Sequence, residues 1–301
     1  MQRYLIGVFV LLSVVAGCTD TGEKDGRLYI VTTTGMIADV VRNIAGDKAI
    51  VEELMGPGVD PHLYKASQGD LGKLKKADII FYNGLHLEGK MGELFESLSE
   101  QRKVIPVADG IDKGTLIQIE KNIPDPHIWF DVKLWAEAVR YAGEALINAD
   151  PANADFYRKN LEAYLASLAE LDLWVKNEIA TIPEGQRILI TAHDAFNYFG
   201  RAYSIRVEGL QGISTLAESG LKDRTRMVDL IVGQKIKAVF VESSVSDKSL
   251  RAVMEGSSLK GHDVKLGGML FSDAMGAKNT PEGTYVGMVK ANVTTIVSAL
   301  K

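Results

Sequence analysis

Residues 152–181, ANADFYRKNLEAYLASLAELDLWVKNEIAT, constrain the fold more than any other stretch of this 301-residue chain. Helical spacing places Leu161, Tyr164, Leu165, Leu168, Leu171 and Val175 on one apolar stripe. At ~1.5 Å per residue, a helix of this length is a rod of ~45 Å. On either side the pattern is of another kind. LYIVTTT (28–34), AIVEELM (49–55), DIIFYNG (78–84) and KVIPVA (103–108) read as strands. Between them lie the helical pattern 36–46, stopping at Gly46, and a helix start at Ser67 with Asp70. A helix at 131–150 precedes the long one. Beyond Pro183 the alternation resumes with RILITA (187–192), SIRVEG (204–209), KAVFVES (237–243) and DVKLGG (263–268), and with helices near 224–234, 247–256 and 281–300. Such alternation implies parallel strands covered on both faces, an α/β fold. The long helix is either a rigid connector between two halves or one core helix of a single large domain. No internal sequence repeat relates the halves.

The N-terminus, MQRYLIGVFVLLSVVAGC, has one Arg and then an apolar run from Tyr4 to Gly17, roughly fourteen residues and too short to span a bilayer comfortably. A positive start, a short apolar middle and small residues at its end read as a secretory signal over 1–17; a buried N-terminal helix is the plainer alternative. Cys18, the only cysteine, directly follows Val15-Ala16-Gly17. This position resembles a bacterial lipoprotein box, in which the cysteine carries the lipid. The polar stretch 18–26 then serves as a tether, and an acyl chain holds the protein at the membrane. A net charge of -5 without a basic run argues against nucleic acid as a partner.

The five histidines are His62, His86, His127, His193 and His262. His62 and His127 each follow Asp-Pro, at Asp60-Pro61 and Asp125-Pro126. His193 directly follows the strand pattern 187–192, and Asp273 follows the one at 263–268. These four lie at or near strand ends, where open α/β sheets bind ligands. Imidazole and carboxylate suit zinc and are acceptable to manganese. Taken singly, each His also reads as a satisfied turn or core residue. No two candidates lie close enough in sequence to form a local metal motif.

GPGVDPHLYKAS, NGLHLEGKM, PDPHIWFDV, TAHDAFNYFG, GLQGIST and LFSDAMG together resemble the TroA-like family, the zinc- and manganese-type solute-binding proteins of ABC transporters. The likeness covers residues 28–301, with the motifs in the family's order. It implies two α/β lobes, each with a mostly parallel sheet flanked by helices, joined by a long rigid backbone helix. The division would be 27–150, 151–182 and 183–301. Carried over residue by residue, it implies metal ligands at His62, His127, His193 and Asp273, the first two from one lobe and the last two from the other. It implies a permease and its ATPase as partners, an exported and lipid-anchored protein, a monomer, and one Zn2+ or Mn2+ per chain as cargo. His193 at the third position, with no histidine in 109–126, departs from the family's clearest manganese and zinc patterns, so both metals stay open. His86 is read as structural or supporting the ligands. Glu242 could orient a ligand histidine, or be a salt-bridged strand-end glutamate. His262 is read as solvated. Three neutral imidazoles imply affinity that falls as pH drops through ~6.5. The alternative function is a secreted zinc-dependent hydrolase. It would need an open coordination position and a general base, and no obvious base accompanies the site. The sequence offers no physical basis for adhesion.

Overall fold

The strand–helix alternation closes into two separate parallel sheets. In the computed structural model, residues 26–301 are described; the signal segment 1–17 and Cys18 with most of the tether lie outside them. The first sheet holds β1 (Leu28–Thr32), β2 (Ala49–Glu53), β3 (Ile79–Tyr82) and β4 (Lys103–Pro106), in the order β2-β1-β3-β4, every pair parallel. Its crossovers are α1 (Gly35–Ala45), α2 (Gln68–Lys76) and α3 (Gly92–Ser99). A short antiparallel pair, β5 (Gln118–Glu120) and β6 (Ile123–Pro124), leads to α4 (Val132–Ala149) and α5 (Ala154–Ala180). The second sheet holds β7 (Ile188–His193), β8 (Arg206–Gln211), β9 (Ala238–Glu242) and β10 (Lys265–Leu270), in the order β10-β9-β7-β8, again all parallel. Its helices are α6 (Asn197–Tyr203), α7 (Leu221–Gln234), α8 (Lys248–Leu259) and α9 (Tyr285–Leu300). Counted by order of appearance, both sheets run second-first-third-fourth. One topology is therefore built twice from sequences that do not repeat.

Local chemistry explains the boundaries. The Ser67 hydroxyl accepts from the Asp70 amide at 3.2 Å, and Asp70 returns the bond to the Ser67 amide at 2.8 Å, so α2 begins with a full capping box. Asp131 caps α4 by accepting from the amides of Lys133 and Leu134. Helix α5 contains neither glycine nor proline and runs for 27 residues, about 40 Å. Its six predicted stripe residues are all buried, joined by Tyr157 and Ile179.

The two sheets share one core. Ile30 and Phe81 of the first sheet, Phe240 and Leu270 of the second, and the inner faces of α1, α4, α5 and α9 belong to one continuous apolar cluster. Asp39 on α1 sits inside it. One of its oxygens accepts from the Tyr164 hydroxyl of α5 at 2.9 Å and from the Tyr285 amide of α9 at 3.2 Å, stitching the lobes together behind the sheets. Among the described residues no helix is long and apolar enough to cross a membrane.

Candidate metal centre

Each of the four candidate residues lies at the end of a strand or in the loop beyond it. His62 lies in the loop from β2 to α2, His127 follows the β5–β6 pair, His193 is the last residue of β7, and Asp273 begins the loop from β10 to α9. In both Asp-Pro-His triplets the aspartate folds back to accept the histidine's own amide, Asp60 at 2.8 Å and Asp125 at 2.9 Å. With proline fixing the middle residue, each ring is presented by a stiff turn.

The fold brings these four side chains into one buried cluster between the sheets, their donor atoms all within 4.8 Å of one another. His62 Nε2 lies 3.3 Å from His127 Nε2; Asp273 oxygens lie 3.3 Å from His193 Nε2, 3.4 Å from His127 Nε2 and 3.8 Å from His62 Nε2. Zinc–nitrogen bonds of ~2.0–2.1 Å place tetrahedral donors ~3.3–3.4 Å apart, close to these separations. His193 Nε2 and both Asp273 oxygens are sealed from solvent without an aligned hydrogen bond. Buried polar atoms in that condition are costly, and a cation among them satisfies all three. The two Asp273 oxygens face different imidazoles, so the carboxylate can bind through one oxygen or both.

Behind the cluster, two rings are held by carboxylates. His127 Nδ1 lies 2.7 Å from Asp125 Oδ1, and His193 Nδ1 lies 2.5 Å from Glu242 Oε2, while Glu242 Oε1 accepts the His193 amide at 2.8 Å. A proton held on Nδ1 turns each Nε2 lone pair toward the centre. Asp125 is itself fixed from the other lobe, accepting from Asn197 Nδ2 at 3.1 Å through its side chain and from the Tyr198 hydroxyl at 2.8 Å through its carbonyl. Trp129 packs edge-on to His127 and donates from Nε1 to the Ser272 carbonyl, beside Asp273.

Sequence reasoning missed some of these supports. Glu88 is buried and accepts from the Thr33 hydroxyl and the amides of Asn83 and Gly84; Asn83 then donates to the Pro126 carbonyl, just ahead of His127. His86, read as structural or supporting, is exposed in that turn at a φ of 64° and bonds to none of the four. The local signal favoured the histidine, while the supporting group is the glutamate two positions on. His262 is not simply solvated either: its Nε2 lies 2.8 Å from the Ile236 carbonyl.

The electrostatics divide the three rings. Burial lowers His62 to about 4, the pull of Asp273 only partly offsetting it. Burial opposes charge on His127 too, but Asp125 and Asp273 outweigh it and raise that ring to about 9. For His193, Glu242 and Asp273 overcome burial and raise it well above the usual range. Asp273, despite burial, is held well below the carboxylate range by His193 and His127. The two rings on which charge is favoured thus flank the Asp273 carboxylate, while His62 resists it. Both raised rings give up a proton above the ~6.5 expected of isolated imidazoles.

The family profile described as ZnuA, zinc-uptake complex component A, periplasmic, matches residues 30–299. The manganese-binding lipoprotein MntA of Bacillus subtilis is 50% identical over 304 residues, covering 100% of this chain and 99% of that protein. The zinc-binding protein TroA of Treponema pallidum is 47% identical over 305 residues, covering 100% and 99%. The solved structure of periplasmic TroA superimposes with a TM-score of 0.90 at 46% identity, covering 91% of this chain and 99% of that one.

Proposed function

The chain belongs to the ZnuA family of zinc-uptake components, and from that premise we propose that its interlobe site captures one divalent transition-metal ion, with His62, His127, His193 and Asp273 as the ligands. The family consists of solute-binding proteins of ABC importers, which are not enzymes. The protein works outside the cytoplasm and serves an import system with a permease and an ATPase. Its cargo is zinc or manganese, the metals named for MntA and TroA. Neither the relatives nor the site favours the hydrolase alternative: the fourth position that a catalytic zinc keeps open faces Asp273 here.

The observation that carries this reading is the buried convergence of three imidazoles and a carboxylate whose inward atoms lack partners. Capture strips the ion of water and replaces its shell with these four groups. Bound through one Asp273 oxygen, the ion is tetrahedral, as zinc prefers; bound through both, it is five-coordinate, which manganese accepts. Raw affinity favours zinc. The same reading includes Cys18 as the lipid-bearing residue, 18–26 as tether, the division 27–150, 151–182 and 183–301, and a monomeric protein. Elemental analysis of protein purified without added metal, followed by zinc–manganese competition, tests it. Chelation is expected to lower the melting temperature and either metal to restore it. A melting temperature that no transition metal moves would overturn the assignment.

A further inference from the structure

The backbone amide of every ligand histidine is held by a carboxylate, and in two of the three cases the same carboxylate also holds the ring. Asp125 does this for His127 and Glu242 for His193. Asp60 does not do it for His62. Its Oδ1 accepts the His62 amide, but its Oδ2 accepts the hydroxyl of Thr215 at 2.6 Å, 155 positions away in the other lobe. His62 Nδ1 has no hydrogen-bond partner in the protein among the described residues. One ligand therefore has its supporting carboxylate tied to the opposite lobe, and its ring is otherwise unguided.

Thr215 is positioned for this contact by its own sheet. It is buried in the loop between β8 and α7, and Gln211, the last residue of β8, donates from Nε2 to the carbonyls of Thr215 and Ala217 at 3.0 and 2.7 Å. Gln211 pairs in register with His193 across β7 and β8. The path Gln211–Thr215–Asp60–His62 thus joins the strand end carrying one ligand to the loop carrying another. Among the described residues, no other hydrogen bond joins the 56–67 loop to the second lobe, apart from the contacts of the cluster itself. Other bonds between the lobes run behind the ligands, through Trp129, Asp39, Tyr198 and Tyr203.

We propose that the Thr215–Asp60 hydrogen bond is a latch: it holds His62 on the captured ion while the lobes are closed, and parting the lobes at this point releases His62 ahead of the other ligands. The inference rests on the metal-capture reading. A hydroxyl bonded to a carboxylate is strong and short, and its loss leaves the cluster itself as the one polar link from the 56–67 loop to the second lobe among the described residues.

The test is release of zinc, and separately of manganese, from the full chain into excess chelator, followed by stopped flow. Thr215→Val is expected to release metal about tenfold faster or more, while Thr215→Ser, which keeps the hydroxyl, stays near the unaltered rate. In a His62→Ala background, Thr215→Val changes release by less than about twofold, because the latch acts through that ring. Unaltered release in Thr215→Val, or equal acceleration with and without His62, overturns the latch and leaves metal capture standing. Failure of the unaltered chain to take up either metal overturns the capture reading itself.

Discussion

Asp-Pro-His occurs twice in this chain, at 60–62 and 125–127, and the two copies behave differently. Both make the same local turn, with the aspartate accepting the histidine amide at nearly equal distances. Beyond the turn they diverge. Asp125 grips its own histidine ring and raises it to about 9; Asp60 bonds Thr215 instead, and burial drops its histidine to about 4. Identical triplets thus yield one ring held by its own aspartate and disposed to carry a proton, and one that resists charge and whose aspartate is tied to the opposite lobe. A tripeptide sets a turn; what its side chains then meet sets the chemistry.

The comparison is tested most severely by removing both rings. His62→Ala together with His127→Ala is expected to abolish the metal-induced rise in melting temperature, which for the unaltered chain at 100 times Kd corresponds to about 2.7 kcal/mol. Asp273→Ala is expected to weaken binding less, since it leaves three imidazoles; a double variant that still retained metal would show the wrong ligands had been chosen.

Next in size is the pH response. A ring must be neutral to bind metal, so each proton displaced weakens apparent affinity about tenfold for every pH unit below the ring's own pKa. With His127 raised to about 9, affinity falls as pH drops from 8 to 6, by about 100-fold for that proton alone. His62, already neutral in that range, contributes no slope, so His62→Ala keeps the same pH dependence, whereas Asp125→Asn weakens it without abolishing it, because His193 keeps its own carboxylate partner. A flat titration of affinity between pH 6 and 8 in the unaltered protein contradicts this.

Smaller effects separate the two aspartates. Asp125→Asn is expected to cost about 10–100-fold in equilibrium affinity, as loss of a ring-orienting partner usually does. Asp60→Asn should act mainly on the rate of release. Equal effects of the two on affinity would erase the distinction. Smallest is Ser67→Ala, which removes the cap of the helix following the His62 loop. It should lower stability by about 1 kcal/mol in denaturant melts and leave metal affinity unchanged.

Much of this was legible along the chain. The eight long strands fall within two or three residues of their expected positions, and the helix at 152–181 is present over Ala154–Ala180. Helix α6 was not read, because seven residues are too few to display a period, yet it supplies Asn197 and Tyr198 to Asp125. Glu88 was passed over for the neighbouring His86. Thr215 ends the family-like stretch GLQGIST, but nothing in that stretch points to Asp60 as its partner.

Hydrophobic period, glycine and proline punctuation and the Asp-Pro-His turns are written in neighbouring residues, so the sequence alone determined the alternation, the long helix and the stiff presentation of two histidines. Asp125 meets the His127 ring two positions away, inside its own turn, but Glu242 meets His193 across 49 positions and Thr215 meets Asp60 across 155, brought together only when two sheets of the same strand order close on a common core. Those two long-range contacts, and with them the second gripped ring and the latched one, were decided by tertiary structure, because a hydrogen bond acts over ångströms of space and is blind to distance along the chain.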